Sequence, residues 1–138
     1  MFDRCLYFNI NALTRLVNKE WNTAFSELDL SPSHGYLLRV VLSKPGITQK
    51  ELASELKLEK STITRFIDTL QKKGFLIRKS EGVDARQQNI HPTNKTKDLQ
   101  DSLENTGDYL YEKILSKIGK EQLTLLVNLL KENEKKIK

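Results

Sequence analysis

The chain has little cysteine, proline or glycine, and each shortage excludes something. One cysteine in 138 residues rules out an internal disulfide framework, and no cysteine or histidine spacing resembles a zinc ribbon. A reducing cytoplasm is therefore the expected compartment, with no metal site. Six glycines and three prolines point to a helix-rich fold with few turns. No apolar run approaches the ~18–20 residues that span a bilayer, so no membrane partner is expected. The opening MFDRCLYFNI is too short and too polar for a signal peptide. A glycine-rich phosphate loop, a nucleophile–base pair and a paired-carboxylate motif are all missing, so neither an enzyme nor a cofactor is expected. The length suits one domain, 1–138, with room for one real core.

What is present is positive charge in one place. Residues 57–79 hold seven bases (Lys57, Lys60, Arg65, Lys72, Lys73, Arg78, Lys79) against two acids (Glu59, Asp68). That local excess equals the net +5 of the whole chain, so the remainder sums to zero. A lysine-rich solvated face would give the same count. The pattern of the surrounding elements favours a surface for a phosphate backbone.

That pattern spans 48–86. TQKELASEL (48–56) and KSTITRFIDTLQKKG (60–74) are short amphipathic segments set close together, followed by FLIRKS (75–80), Asp84-Ala85-Arg86 and QQNIHP (87–92). The order reads helix, turn, helix, strand, charged turn, strand. This is a winged helix-turn-helix within about 32–92, and the fold class is mainly α with a small β wing. Thr48 and Glu51 form a T-x-x-E capping box. Leu52, Ala53, Leu56 and Leu58 are expected to point inward. Ile63, Phe66, Ile67 and Leu70 recur at helical spacing and define a buried face, with Gly74 as the left-handed stop. The opposite face carries Ser61, Thr62, Thr64, Arg65 and Lys72, small hydroxyls and cations that allow close approach to base edges and phosphates.

Longer helices flank this unit. Leu6, Ile10, Leu13, Val17, Trp21, Ala24 and Leu28 mark one face of a helix over about 4–28. Ser31-Pro32 starts the next helix, which Pro45-Gly46 ends before a short strand at Ile47. Thr93 is expected to cap a helix over about 94–117, and Gly119 separates it from a last helix over about 120–137. These terminal helices (4–28 and 94–137) carry more apolar surface than one small core absorbs. An exposed patch of that size is unusual on a monomer. Burying ~1,000 Å² between two copies gives a gross gain of tens of kcal/mol at ~25 cal/mol/Å², so N- and C-terminal dimerisation helices and a homodimer are expected.

The residues resemble the MarR (multiple antibiotic resistance regulator) family of bacterial transcription factors. The likeness rests on Leu52-Ala53, on the recognition-helix pattern from Ser61 through Gly74, and on the D-x-R of Asp84 and Arg86. It covers nearly the whole chain, including LDLSPSHGYLL before the motif. The chain departs from the family after the wing, where His91-Pro92-Thr93-Asn94-Lys95-Thr96 stands in place of L-T-x-x-G. The resemblance implies a dimeric repressor of double-stranded DNA at a pseudo-palindromic operator, released by a small-molecule effector or by cysteine oxidation. Ser61, Thr62, Thr64 and Arg65 then match major-groove readers, with Lys60, Lys72 and Lys79 beside them as further DNA contacts. Arg86 matches the wing arginine of the minor groove, while Asp84 either positions that arginine or caps the turn.

Other residues carry narrower expectations. Cys5 lies beside Arg4 at a helix start; an inert, partly buried thiol is the main expectation, and a peroxide-sensing variant, as in a branch of the family, the alternative. The family also implies an effector pocket, for which Asn11, Arg15, His34 and Tyr36 are the candidates; ordinary packing is the alternative for each. A winged helix used only for protein contacts, as in an adaptor, is the competing class.

Overall fold

Most helices begin and end where short-range signals place them. The computed structural model describes all residues, 1–138, and divides into two units, Met1–Glu104 and Asn105–Lys138. In the first unit, α1 (Leu6–Ser26) opens at Cys5, whose Sγ accepts the Phe8 N–H at 3.5 Å. Helix α2 (Pro32–Ser43) opens at Ser31, whose hydroxyl accepts the His34 N–H at 3.1 Å. After β1 (Ile47–Thr48), α3 (Gln49–Leu56) begins with the full capping box. Thr48 Oγ1 accepts the Glu51 N–H while the Glu51 carboxylate accepts the Thr48 N–H, both at 3.1 Å.

Helix α4 (Lys60–Lys72) stops at Gly74, whose φ of +82° suits a residue without a Cβ. The Phe75 N–H donates to the Leu70 carbonyl and the Gly74 N–H to the Gln71 carbonyl. This paired closure turns the chain sharply into β2 (Leu76–Lys79). Strand β3 (Asn89–Pro92) returns antiparallel to it, and β1 pairs with the other edge of β3, giving the order β1-β3-β2. Pro92 is tolerated in the central strand because β1 pairs only with Asn89 and Ile90. The core of this unit includes Phe25, Leu37, Leu38, Val41, Leu52, Ile63, Ile67, Leu70, Leu76, Ile90 and Leu103, all buried.

Four local expectations need correction. The helix expected over about 94–117 is two helices, α5 (Asn94–Lys97) and α6 (Gln100–Ile118). The break follows from anchoring, because Thr96 is fully buried and its hydroxyl donates to the Phe75 carbonyl at 2.6 Å. Thr93 precedes α5 without capping it; its Oγ1 donates instead to the carbonyls of Gly74 and Phe75, at 2.6 and 3.2 Å. Leu58 is 38% exposed rather than inward, since it follows the left-handed Lys57 that ends α3. Phe66 is half-buried, with the His34 ring edge-on to it at 4.8 Å between centroids.

The second unit holds the rest of α6 and, after Gly119 at φ +85°, α7 (Lys120–Ile137). No residue of α7 is buried, and Leu125, Val127, Leu129 and Leu130 are exposed. Early α1 shows the same thing: Leu6, Ile10, Leu13 and Leu16 are exposed, whereas Phe25 near its end is buried. No helix is long and apolar enough to cross a membrane.

Helices α1 and α2 meet at Gly35. A Cβ added there would lie 2.4 Å from Phe25 Cε1, and Phe25 is fully buried. Alanine normally gains about 0.5–1 kcal/mol over glycine in a helix, but overpacking a rigid core costs about 1–3 kcal/mol. Gly35→Ala is therefore expected to lower stability by about 1–2 kcal/mol in urea denaturation. An unchanged midpoint would mean that the Phe25 ring can move aside.

Candidate nucleic-acid interface

Amphipathicity alone decides which side of α4 is available. Ile63, Ile67 and Leu70 are completely buried, so the opposite stripe must face outward. Ser61, Thr64, Arg65, Asp68, Gln71 and Lys72 form that stripe, all exposed, on a helix about 20 Å long at 1.5 Å per residue. Thr62 is only partly exposed, on the flank of the stripe. Lys60 is exposed at the first turn, where the unpaired N–H groups of the helix already favour an anion.

The wing stands beside this helix. Between the starts of α3 and α4 and the wing lies a groove of about 810 Å³, lined among others by Thr48, Gln49, Lys60, Thr64, Asp84 and Arg86. The Asp84 Oδ1 accepts the Arg86 N–H at 2.9 Å, capping the turn, and the Arg86 Nε at 3.4 Å. The Arg86 side chain remains 93% exposed, so it is aimed without being sequestered. An exposed pair of this kind adds little stability, which leaves orientation as its main effect. Beneath the tip, Gln88 Nε2 donates to Ser80 Oγ, and His91 of β3 pairs with Glu81, just past the end of β2. Lys79 ends β2 on the exposed surface.

One residue of the basic run has a different job. Arg78 is largely covered and bonds three neighbours: Asp68 Oδ1 at 2.5 Å, Gln71 Oε1 at 2.6 Å and Gln49 Oε1 at 3.4 Å. It ties β2 to α4 and α3. Because Arg78 and Asp68 cancel each other, the local excess rests on the six remaining bases against Glu59. Charge counting does not separate Arg78 from its neighbours, and Gln49 and Gln71 give no sequence signal at all. Lys95 was also unforeseen; its Nζ donates to the Lys73 carbonyl and sits 4.2 Å from the Phe75 ring centroid, clamping the end of α4.

The four effector-pocket candidates lie two on α1 and two on α2. Asn11 donates to the Tyr7 carbonyl within α1, Arg15 is exposed on the same helix, and His34 packs on Phe66. Tyr36 lines a cavity of about 490 Å³, together with Arg39, Lys44, Glu55, Gln100 and Glu104. Its hydroxyl accepts the Trp21 indole N–H at 2.8 Å, and the Arg39 guanidinium lies 5.8 Å from its ring centroid. Cys5 is a free, half-buried thiol at the head of α1. No group of three or more His, Cys, Asp or Glu side chains stands together to hold a metal ion.

A bare, polar helix face braced against a three-stranded wing defines a winged helix-turn-helix protein. Residues 28–87 match the sequence model of the MarR family. The HTH-type transcriptional regulator YybA of Bacillus subtilis is 27% identical over 93% of this chain and 85% of its own length. Among solved structures, a MarR protein from Peptoclostridium difficile superposes with a TM-score of 0.83 at 26% identity, over 98% of this chain and 88% of that one. A putative MarR-family regulator from Listeria monocytogenes, solved with a 26-mer DNA, has a TM-score of 0.80 at 24% identity, over 97% and 89%. Over residues 28–87 the chain carries the MarR-family sequence pattern, and along most of its length it is similar to these regulators and to MarR structures.

His34 offers a check on how α2 and α4 pack. Its burial, and next the Lys73 charge, lower its pKa below the ordinary 6.5. The unfolded chain therefore takes up this proton first as pH falls. Stability is complete above about 6.5 and declines as pH falls from there towards the lower folded-state value. Thermal melts between pH 7.5 and 5.5 are expected to show a falling midpoint, with a shallower fall in His34→Gln. Equal slopes for the two proteins would exclude His34 as a source of the dependence.

Proposed function

We propose that this chain is a cytoplasmic transcriptional repressor that binds double-stranded DNA as a homodimer at a pseudo-palindromic operator. The observation that carries the reading is the division of α4 into a fully buried apolar face and a bare face of hydroxyls and cations, flanked by the exposed Arg86. In this reading Ser61, Thr62, Thr64 and Arg65 meet base edges in the major groove. Lys60, Lys72 and Lys79 meet phosphates, and Arg86, aimed by Asp84, enters the minor groove. The regulator from Listeria, complexed with DNA, lends support as a protein of the same fold.

Dimerisation is supported by the apolar side chains left exposed on α1 and α7. Two copies about a two-fold axis would set two α4 helices into successive major grooves about one turn apart. Release by a small molecule is supported by the cavity beside Tyr36, where a guanidinium and an aromatic ring offer an apolar wall and a cation. Cys5 would serve a peroxide-responsive variant of the same release.

Two measurements test this. Binding to a fragment of its own promoter is expected to weaken steeply with salt. Arg65→Ala should relax base discrimination by about 1–3 kcal/mol, whereas Lys72→Ala or Lys79→Ala should mainly reduce the salt slope, by about one each. Equal losses on specific and random duplexes from Arg65→Ala would remove its role as a reader. Absence of binding to any promoter fragment at low salt would favour a protein-binding adaptor instead. Sedimentation at micromolar concentration should show a dimer; a stable monomer would overturn the paired arrangement.

A further inference from the structure

A one-way chain of hydrogen bonds runs from the wing into the exposed face of α4. Asp68 and Gln71 accept from the two terminal nitrogens of Arg78, leaving its Nε to donate to Gln49 Oε1. An amide whose oxygen is engaged there must present its NH₂ on the other side. Gln49 Nε2 accordingly donates to Thr64 Oγ1, at 3.2 Å. A threonine hydroxyl has one proton and two lone pairs. The Thr64 proton goes back to the Lys60 carbonyl at 3.0 Å, and one lone pair receives Gln49. What remains for a ligand on this exposed side chain is one lone pair and the methyl group.

We propose that Gln49 is a specificity-determining positioning residue: held by Arg78, it makes Thr64 an acceptor only, so that Thr64 selects a base presenting an amino donor in the major groove. The inference rests on the reading of α4 as the helix that enters that groove. Only cytosine N4 and adenine N6 offer donors there, while guanine presents the O6 and N7 acceptors. Gln49 pins the χ1 rotamer in which Thr64 donates to the Lys60 carbonyl; without it the side chain can turn to its other rotamer and its hydroxyl donate outward, which would accommodate guanine as well. Gln49 need not touch DNA for this, and neither it nor Arg78 belongs to the face that carries the readers.

The test is selection of binding sites from a randomised duplex pool by the full-length wild type, Thr64→Val, Gln49→Leu and Gln49→Met. Comparing wild type with Thr64→Val locates the base pair that Thr64 reads. There the wild type is expected to favour cytosine or adenine over guanine roughly tenfold, falling to roughly two- to threefold in Gln49→Leu, with the other positions unchanged. Gln49→Met keeps the length of the side chain but offers no donor to Thr64. It should relax the same position even if Gln49→Leu folds poorly. Identical base weights in wild type and both Gln49 variants, or a wild-type preference for guanine at that position, would overturn the proposal and leave the DNA reading intact. A wild type that selects no motif at all would overturn the reading of α4, and this proposal with it.

Discussion

Everything on the exposed side of α4 depends on what happens on its hidden side. Ile63, Ile67 and Leu70 are removed entirely from water, each contributing about 1.5–3 kcal/mol of transfer free energy. With that stripe fixed in the core, the rotation of the helix about its axis has no freedom left. Thr64 and Arg65 must then point away from the protein, and no local interaction of their own is needed to hold the helix there. The closure at Gly74 acts at the other end, turning the chain so that β2 starts against the same core through the buried Phe75 and Leu76.

The second constraint is the position of the wing relative to that helix. A hairpin of two four-residue strands is marginal by itself. Here it is braced by β1 on one side and by Arg78 reaching to α4 and α3 on the other. Arg78 suits this task better than lysine would, because its planar fork offers several donors in fixed directions. The tip therefore exposes Arg86 and Val83 to solvent while Arg78, at the base of the wing, stays hydrogen-bonded to Asp68 and Gln71 on the exposed face of α4.

Much of this was legible because it is local. The capping box of Thr48 and Glu51, the Ser31-Pro32 start, the left-handed Gly74 and the three–four spacing of Ile63, Ile67 and Leu70 all act within a few residues of themselves. The features that escaped join distant parts of the chain. Thr93 and Thr96 serve Phe75 across 18 and 21 positions, and that anchoring splits a helix whose own periodicity is continuous. Arg78 and Gln49 are 29 positions apart, and nothing in either neighbourhood distinguishes Arg78 from a lysine-like surface cation. Asn11, Arg15, His34 and Tyr36 pose the same difficulty: polar residues on two helices do not reveal from sequence whether their faces converge.

Sequence alone determined the order of the elements through the wing, the buried and bare faces of α4 and the concentration of positive charge between residues 57 and 79, since periodicity, capping and charge are carried by near neighbours. Only the tertiary structure decided which members of that basic run face outward and which one is spent on Asp68. It also decided the direction in which the Thr64 hydroxyl points. Those outcomes depend on side chains that meet only after the strands and helices have docked, and the geometry of that meeting is written in no single stretch of the chain.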